Sequence, residues 1–154
     1  MTSLAVILAS VAEAPAGPST AAFFDLDGTV VEGYTAELVY RDRLRRLDVS
    51  PAEFGRTALA ALDMRFRGAP LDALVGVAFE ALAGRMDDEL SEFGERLFRQ
   101  DIASRIYPQA RQLVHAHRKA GHRVVLATSA TPFQADPVAA DMGFDAVLCT
   151  RPKV

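Results

Sequence analysis

The junction Phe23-Phe24-Asp25-Leu26-Asp27-Gly28-Thr29 constrains this chain more than any other segment. A short apolar run, Ala21-Ala22-Phe23-Phe24, stops abruptly at two aspartates, the pattern of a buried parallel strand feeding a functional loop. In an extended segment Asp25 and Asp27 project to one side while Leu26 points away. At the carboxyl end of a parallel strand, that side faces the crevice where open α/β sheets bind ligands. Two carboxylates so placed can divide labour: one holds a divalent cation and attacks an electrophile, the other carries a proton to or from the leaving group. Gly28 permits a sharp turn, and Thr29 offers a hydroxyl to brace it. Asp and Gly are also ordinary turn residues, but a turn alone does not call for paired carboxylates at the end of a buried strand.

Two further apolar runs follow, Arg123–Ala127 and Ala146–Cys149, each preceded by a helical pattern. Strands that alternate with helices predict a Rossmann-like parallel α/β sheet with right-handed crossovers. The helix before the second run spans Gln109 to Ala120 with Gly121 as its cap, and a short helix before the third ends near Met142 and Gly143. Between the first and second strands, residues 35–105 are helical in pattern. Leu38, Val39, Leu44 and Leu47 form one stripe. Ser50-Pro51-Ala52-Glu53 is a helix start, and Phe54, Ala58, Leu62 and Phe66 continue that helix on one face. A third helix is predicted from Leu71 to about Ala83, and a fourth carries Leu90, Phe93, Leu97 and Phe98. These side chains are expected to form the core of a helical bundle.

The second strand ends in Thr128-Ser129-Ala130-Thr131. A hydroxyl there, beside the N–H groups of a starting helix, can bind a phosphate oxygen, although Ser and Thr also serve as plain helix caps.

Composition narrows the function classes. With 154 residues, 50% apolar and 24% charged, the chain reads as about one globular domain, not a disordered or disulfide-built one. A net charge of −3 speaks against a nucleic-acid partner. The basic run Arg41-Asp42-Arg43-Leu44-Arg45-Arg46 reads as a solvated helix face. Cys149 is the single cysteine, which excludes an intramolecular disulfide and fits a cytoplasmic location. The apolar stretch Leu4–Ala9 is too short to span a membrane, and residues 1–20, with Pro15-Ala16-Gly17-Pro18, read as a flexible leader. His115 and His117 point in different directions on a helix, and His122 follows a capping glycine, so surface or capping roles are expected for all three.

On these motifs the sequence resembles the haloacid dehalogenase (HAD) superfamily, closest to its subfamily IB, the phosphoserine phosphatase-like group. Asp25-Leu26-Asp27-Gly28-Thr29 matches that family's first motif, and Ser129, or Thr128 one register earlier, its second. The resemblance implies a core made of residues 21–34 and 106–154 with an inserted helical cap, residues 35–105. It implies an Mg²⁺-dependent phosphomonoester hydrolase in which Asp25 becomes an aspartyl-phosphate and binds the metal. Asp27 would act as acid and base and lend its carbonyl to the metal, while Gly28, Thr29, Ser129 and Thr128 bind phosphate. The substrate would be a small phosphorylated metabolite. Tyr34 stands where phosphoserine phosphatases carry a substrate-contacting glutamate, with Glu32 and Glu37 displaced from it; Arg56 is a cap residue able to bind an anionic group.

The family's third and fourth motifs, a lysine and an acidic pair, lie beyond the third strand. Here the sequence runs only to Thr150-Arg151-Pro152-Lys153-Val154, with Arg151 and Lys153 read as loop charges. The expectation is therefore a core truncated after its third strand, with an unpaired sheet edge that leaves it poorly soluble or pairing with another chain, a second copy included. The competing reading is a catalytically incomplete fragment: an interaction module, or part of a longer phosphatase or acyltransferase chain. A receiver-like phospho-acceptor domain is a poorer match, because receivers lack a helical insertion after the first strand.

Overall fold

A computed structural model describes residues 3–67 and 85–151. Its centre is a parallel sheet of three strands in the order β1 (Ala21–Phe24), β2 (Arg123–Ala127), β3 (Ala146–Leu148). Phe24 pairs with Leu126 and Ala127 with Leu148, so all three strands end at the same edge of the sheet. The first crossover contains α2 (Thr35–Arg45), α3 (Pro51–Arg67), α4 (Asp87–Leu97), a π-helical turn (Phe98–Ile102), a 3₁₀ turn (Ala103–Arg105) and α5 (Pro108–Lys119). The second is α6 (Pro132–Met142), closed by Gly143 at φ +73°, a left-handed cap that glycine adopts without strain. The predicted helix from Leu71 to Ala83 lies outside the described residues.

Leu26, Val30, Val31, Leu97, Ile102, Val124, Leu126 and Val138 are all essentially inaccessible to solvent, and they belong to one hydrophobic cluster. Leu38, Val39 and Phe93 of the inserted helices join that same cluster. Helices α2 and α4 and the π-helical turn thus share the core of the sheet, whereas no described residue of α3 belongs to the cluster. Helix α4 packs closely on α6. Phe93 and Phe133 stack with centroids 5.6 Å apart, and Gly94 lies so close to the Phe133 carbonyl that any Cβ would collide with it.

Several side chains depart from the sequence pattern. Leu44 and Leu47 do not extend the α2 stripe. The helix ends at Arg45, and Leu47, at φ +58°, turns out into solvent at 91% exposure. Phe54, Leu62 and Phe66 on α3 are each more than half exposed. Conversely, part of the basic run is buried. Arg43 donates to Glu53 at 2.6 Å and 3.1 Å and to the Asp48 carbonyl at 2.6 Å. Asp42 is buried between Arg46 at 2.9 Å and Arg96 at 3.5 Å. Burial alone would lower the Arg43 pKa, but its bonds to Glu53 and Asp48 outweigh that and raise it. Charge alternation in sequence cannot distinguish such a paired interior from a solvated face.

The leader is also ordered. Residues Leu4–Glu13 form α1, capped by Ser3, and it packs on α5 with Val11 buried. The Gly17 N–H donates to the Ala120 carbonyl at 3.0 Å, and His122 Nε2 meets the Pro15 carbonyl at 3.1 Å. His122 is therefore a core residue, 3% exposed, and not a surface cap. Its Nε2 must donate to a carbonyl, so in the neutral ring its Nδ1 accepts from His117 Nδ1 at 2.9 Å. Val11 is the α1 residue buried in this contact, while Val6 and Ile7 stay exposed at 58% and 38%. Among the described residues no helix is long and apolar enough to cross a membrane.

Candidate active site

The loop after β1 is built around one carbonyl. Leu26 O accepts the N–H groups of Val30 and Val31, each at 2.9 Å, and of Thr29 at 3.4 Å. This single helical turn carries the chain back beneath the strand and buries Leu26, Val30 and Val31 as its anchor. Gly28 sits at the apex with φ +72°, and its N–H is taken by the carbonyls of Val31 at 2.8 Å and Gly33 at 3.0 Å. Gly28 therefore contributes the turn, while Thr29 stands exposed beside it. Tyr107 N–H to Val30 O and Glu32 N–H to Arg105 O, both 2.9 Å, tie the far side of the loop to the start of α5.

Leu26 plunges into the core, so Asp25 and Asp27 face outward on either side of it. Each has one carboxylate oxygen held by backbone. Asp25 Oδ1 accepts the Leu26 N–H at 2.8 Å, and Asp27 Oδ1 accepts the Thr35 N–H at 2.8 Å. Thr35 is the first residue of α2, which has no side-chain cap of its own from Tyr34. Asp27 supplies that cap from eight residues upstream, where a carboxylate also meets the positive end of the helix dipole. Both carboxylates are thus oriented by backbone before any ligand arrives.

The adjoining loop follows β2. Thr128 is partly buried, and its Oγ1 accepts the Ala130 N–H at 3.1 Å, bracing the turn. Ser129 is exposed. Because Phe24 pairs with Leu126, Asp25 and Ser129 leave adjacent strands on the same side of the sheet, one and three residues beyond that pair. Thr131 then starts α6 with a capping box closed by Gln134. Tyr34, 66% exposed, neighbours the Asp27-bound amide, whereas Arg56 lies on the exposed surface of α3, a separate element. Cys149 follows β3 at this edge. Burial pushes its thiol above the ordinary range against the pull of Arg151, with Asp136 adding to the rise.

Hard oxygen donors fit a magnesium ion, which takes one or two carboxylates and fills its remaining positions with phosphate and water. The Asp25 carboxylate and the Asp27 backbone carbonyl are oxygen donors of that kind. Among the described residues no group of three or more His, Cys, Asp or Glu side chains could hold a metal.

Thr35 and Gln134 escaped the sequence reading. The spacing Thr131-x-x-Gln134 is a legible capping-box signature, but nothing in it shows that Gln134 also reaches Thr35, 99 positions away.

Comparison with known proteins gives the family. The haloacid dehalogenase-like hydrolase family matches residues 22–154. ML2424 of Mycobacterium leprae (strain TN), a hydrolase by name, is 32% identical over 144 residues, covering 88% of this chain and 47% of that protein. Phosphoserine phosphatase SerB1 of Mycobacterium tuberculosis (strain ATCC 25618 / H37Rv) is 31% identical over 144 residues, covering 88% and 46%. The chain therefore spans about half the length of the curated relatives it matches. A crystal structure of a Bordetella pertussis Tohama I protein of unknown function superposes with a TM-score of 0.70 at 26% identity, covering 87% of this chain and 60% of that one. Motif, sheet topology and relatives converge: the chain belongs to the haloacid dehalogenase-like hydrolase family.

Proposed function

We propose that this chain carries the nucleophile half of an Mg²⁺-dependent phosphomonoesterase acting on a small phosphorylated metabolite, in the manner of phosphoserine phosphatases. The observation that carries the reading is the pair Asp25 and Asp27, each held by a backbone N–H on either side of the buried Leu26. An Asp25 carboxylate oxygen attacks phosphorus, and the bond to the substrate oxygen breaks as Asp27 delivers a proton to the leaving alcohol. Asp27, now a carboxylate, takes a proton from water, and that water attacks the phosphorus of the aspartyl-phosphate. Inorganic phosphate leaves and Asp25 is restored. Ser129 and Thr29 donate hydroxyl hydrogen bonds to the phosphoryl oxygens, while Thr128 and Gly28 shape the two loops. When bound by Asp25 and the Asp27 carbonyl, Mg²⁺ would supply positive charge against the phosphate. Tyr34 beside the site is a candidate substrate contact, more so than Arg56. The lone Cys149 fits a cytoplasmic setting.

The test is hydrolysis of p-nitrophenyl phosphate with Mg²⁺. Asp25→Asn is expected to lower kcat by at least about a thousandfold, because removing a nucleophile removes the pathway it opens. Retained turnover in this variant would refute the mechanism.

A second reading rests on the β1 edge. β1 pairs only with β2 among the described strands, and Phe23 on it is 65% exposed. Such an edge favours strand pairing with a second copy of the chain. Light scattering that finds only monomer would remove this reading.

A further inference from the structure

The two loops that carry the proposed chemistry are joined by a buried relay of side chains. Gln134 Oε1 accepts the Thr131 N–H at 3.1 Å and the Thr131 hydroxyl at 2.6 Å. The N–H can only donate, so it fixes the amide's orientation and turns Nε2 outward. Nε2 donates to Thr35 Oγ1 at 2.9 Å, and Thr35 N–H in turn donates to Asp27 at 2.8 Å. Thr35, Thr131 and Gln134 are 0%, 6% and 6% exposed, so water cannot replace these bonds cheaply.

A capping box satisfies itself and needs no third residue. Here its glutamine is spent twice, once on its own helix start and once on the start of α2. We propose that Gln134 is a positioning residue: through Thr35 it holds the N–H that orients Asp27, and so locks the Asp27 loop to the Ser129 loop. The functional weight of the relay rests on the role proposed above for Asp27, but the relay itself can be tested without catalysis.

Three substitutions separate it from mere helix capping, read by amide NMR and hydrogen exchange on the whole chain. Thr35→Val keeps the backbone N–H, removes the hydroxyl that Gln134 holds, and leaves the capping box intact. It is expected to speed exchange of the residue 35 amide by about tenfold and move its resonance in the direction seen in Asp27→Asn, while the Thr131 amide stays protected. Thr35→Ser restores the hydroxyl and is expected to restore both values. Gln134→Met is expected to release the amides of Thr35 and Thr131 together. If the residue 35 amide is unchanged in Thr35→Val and in Gln134→Met, Gln134 serves only its own helix and the proposal is overturned. Should Gln134→Met not fold, the Thr35→Val and Thr35→Ser pair decides alone. Loss of phosphatase activity in Asp25→Asn bears on the proposed mechanism and leaves these amide readings untouched.

Discussion

The strand-end loop at residues 25–35 and the helical arm formed by α2 and α3 come from adjacent stretches of the chain and follow opposite rules. From Asp25 to Gly33 apolar side chains go in and polar ones stay at least partly out: Leu26, Val30 and Val31 are at 0% exposure, and Asp25 and Thr29 face solvent. In the arm the pattern inverts in places. Arg43, Glu53 and Asp42 are buried, and Leu47, Phe54 and Phe66 are exposed. The loop is anchored by packing under a strand, where the environment is apolar on every side. The arm is anchored by a charge network at the α2–α3 turn, where Asp48 also accepts from Arg85. Desolvation alone would raise the Asp48 pKa, but Arg85 and Arg43 outweigh it and hold the carboxyl below its ordinary value.

If the loop depends on packing, Leu26→Ala is the most damaging single change. A fully buried leucine replaced by alanine is expected to cost about 2–5 kcal/mol in urea unfolding, and the loop that orients both aspartates should be lost with it. A loss below about 1 kcal/mol would show that the loop is held by its backbone hydrogen bonds instead.

If the arm depends on its charges, Glu53→Ala should cost about 2 kcal/mol, because Arg43 keeps only its Asp48 contacts in a dry site. Double-mutant cycles with Arg43→Met would isolate the pair: the Arg43→Met background is expected to absorb most of the Glu53→Ala loss.

Leu47 offers a change of the opposite sign. At φ +58° with its side chain in water, Leu47→Gly should raise stability by about 0.5–1 kcal/mol in the same unfolding assay. An equal loss would mean that the leucine is covered.

The smallest effect is expected where the leader meets the core. Burial, and then the neighbouring His122, hold the His117 pKa below 6.5. The unfolded chain therefore binds more protons than the folded one just below pH 6.5, so stability falls as pH drops through 6.5 toward the depressed folded value. Thermal unfolding followed from pH 7.5 to 5.5 should show this slope, and His117→Phe should flatten it.

Much of the site was legible in the sequence because its physics is local. The alternation of Asp25, Leu26 and Asp27 follows from strand geometry, and the glycine turns and the Ser50 helix start rest on contacts between near neighbours. The ordered leader, the buried His122 and the interior Arg43 were not legible. The leader and His122 depend on a contact made only on folding, between positions 107 apart, and Arg43 depends on Asp48 and Glu53, which are five and ten positions on but reach it only across the α2–α3 turn.

The sequence by itself determined the class of fold, the strand that ends in two carboxylates, and the hydroxyl loop that follows the second strand. Apolar periodicity and turn chemistry act over a few residues, and they are sufficient for these features. Tertiary structure alone decided that Asp27 caps a helix eight residues on, that Thr128 braces its turn while Ser129 stays exposed, and that Gln134 ties the two loops together. Those outcomes depend on which buried donors and acceptors find each other across the core. A chain can satisfy each of its local rules and still leave that pairing open.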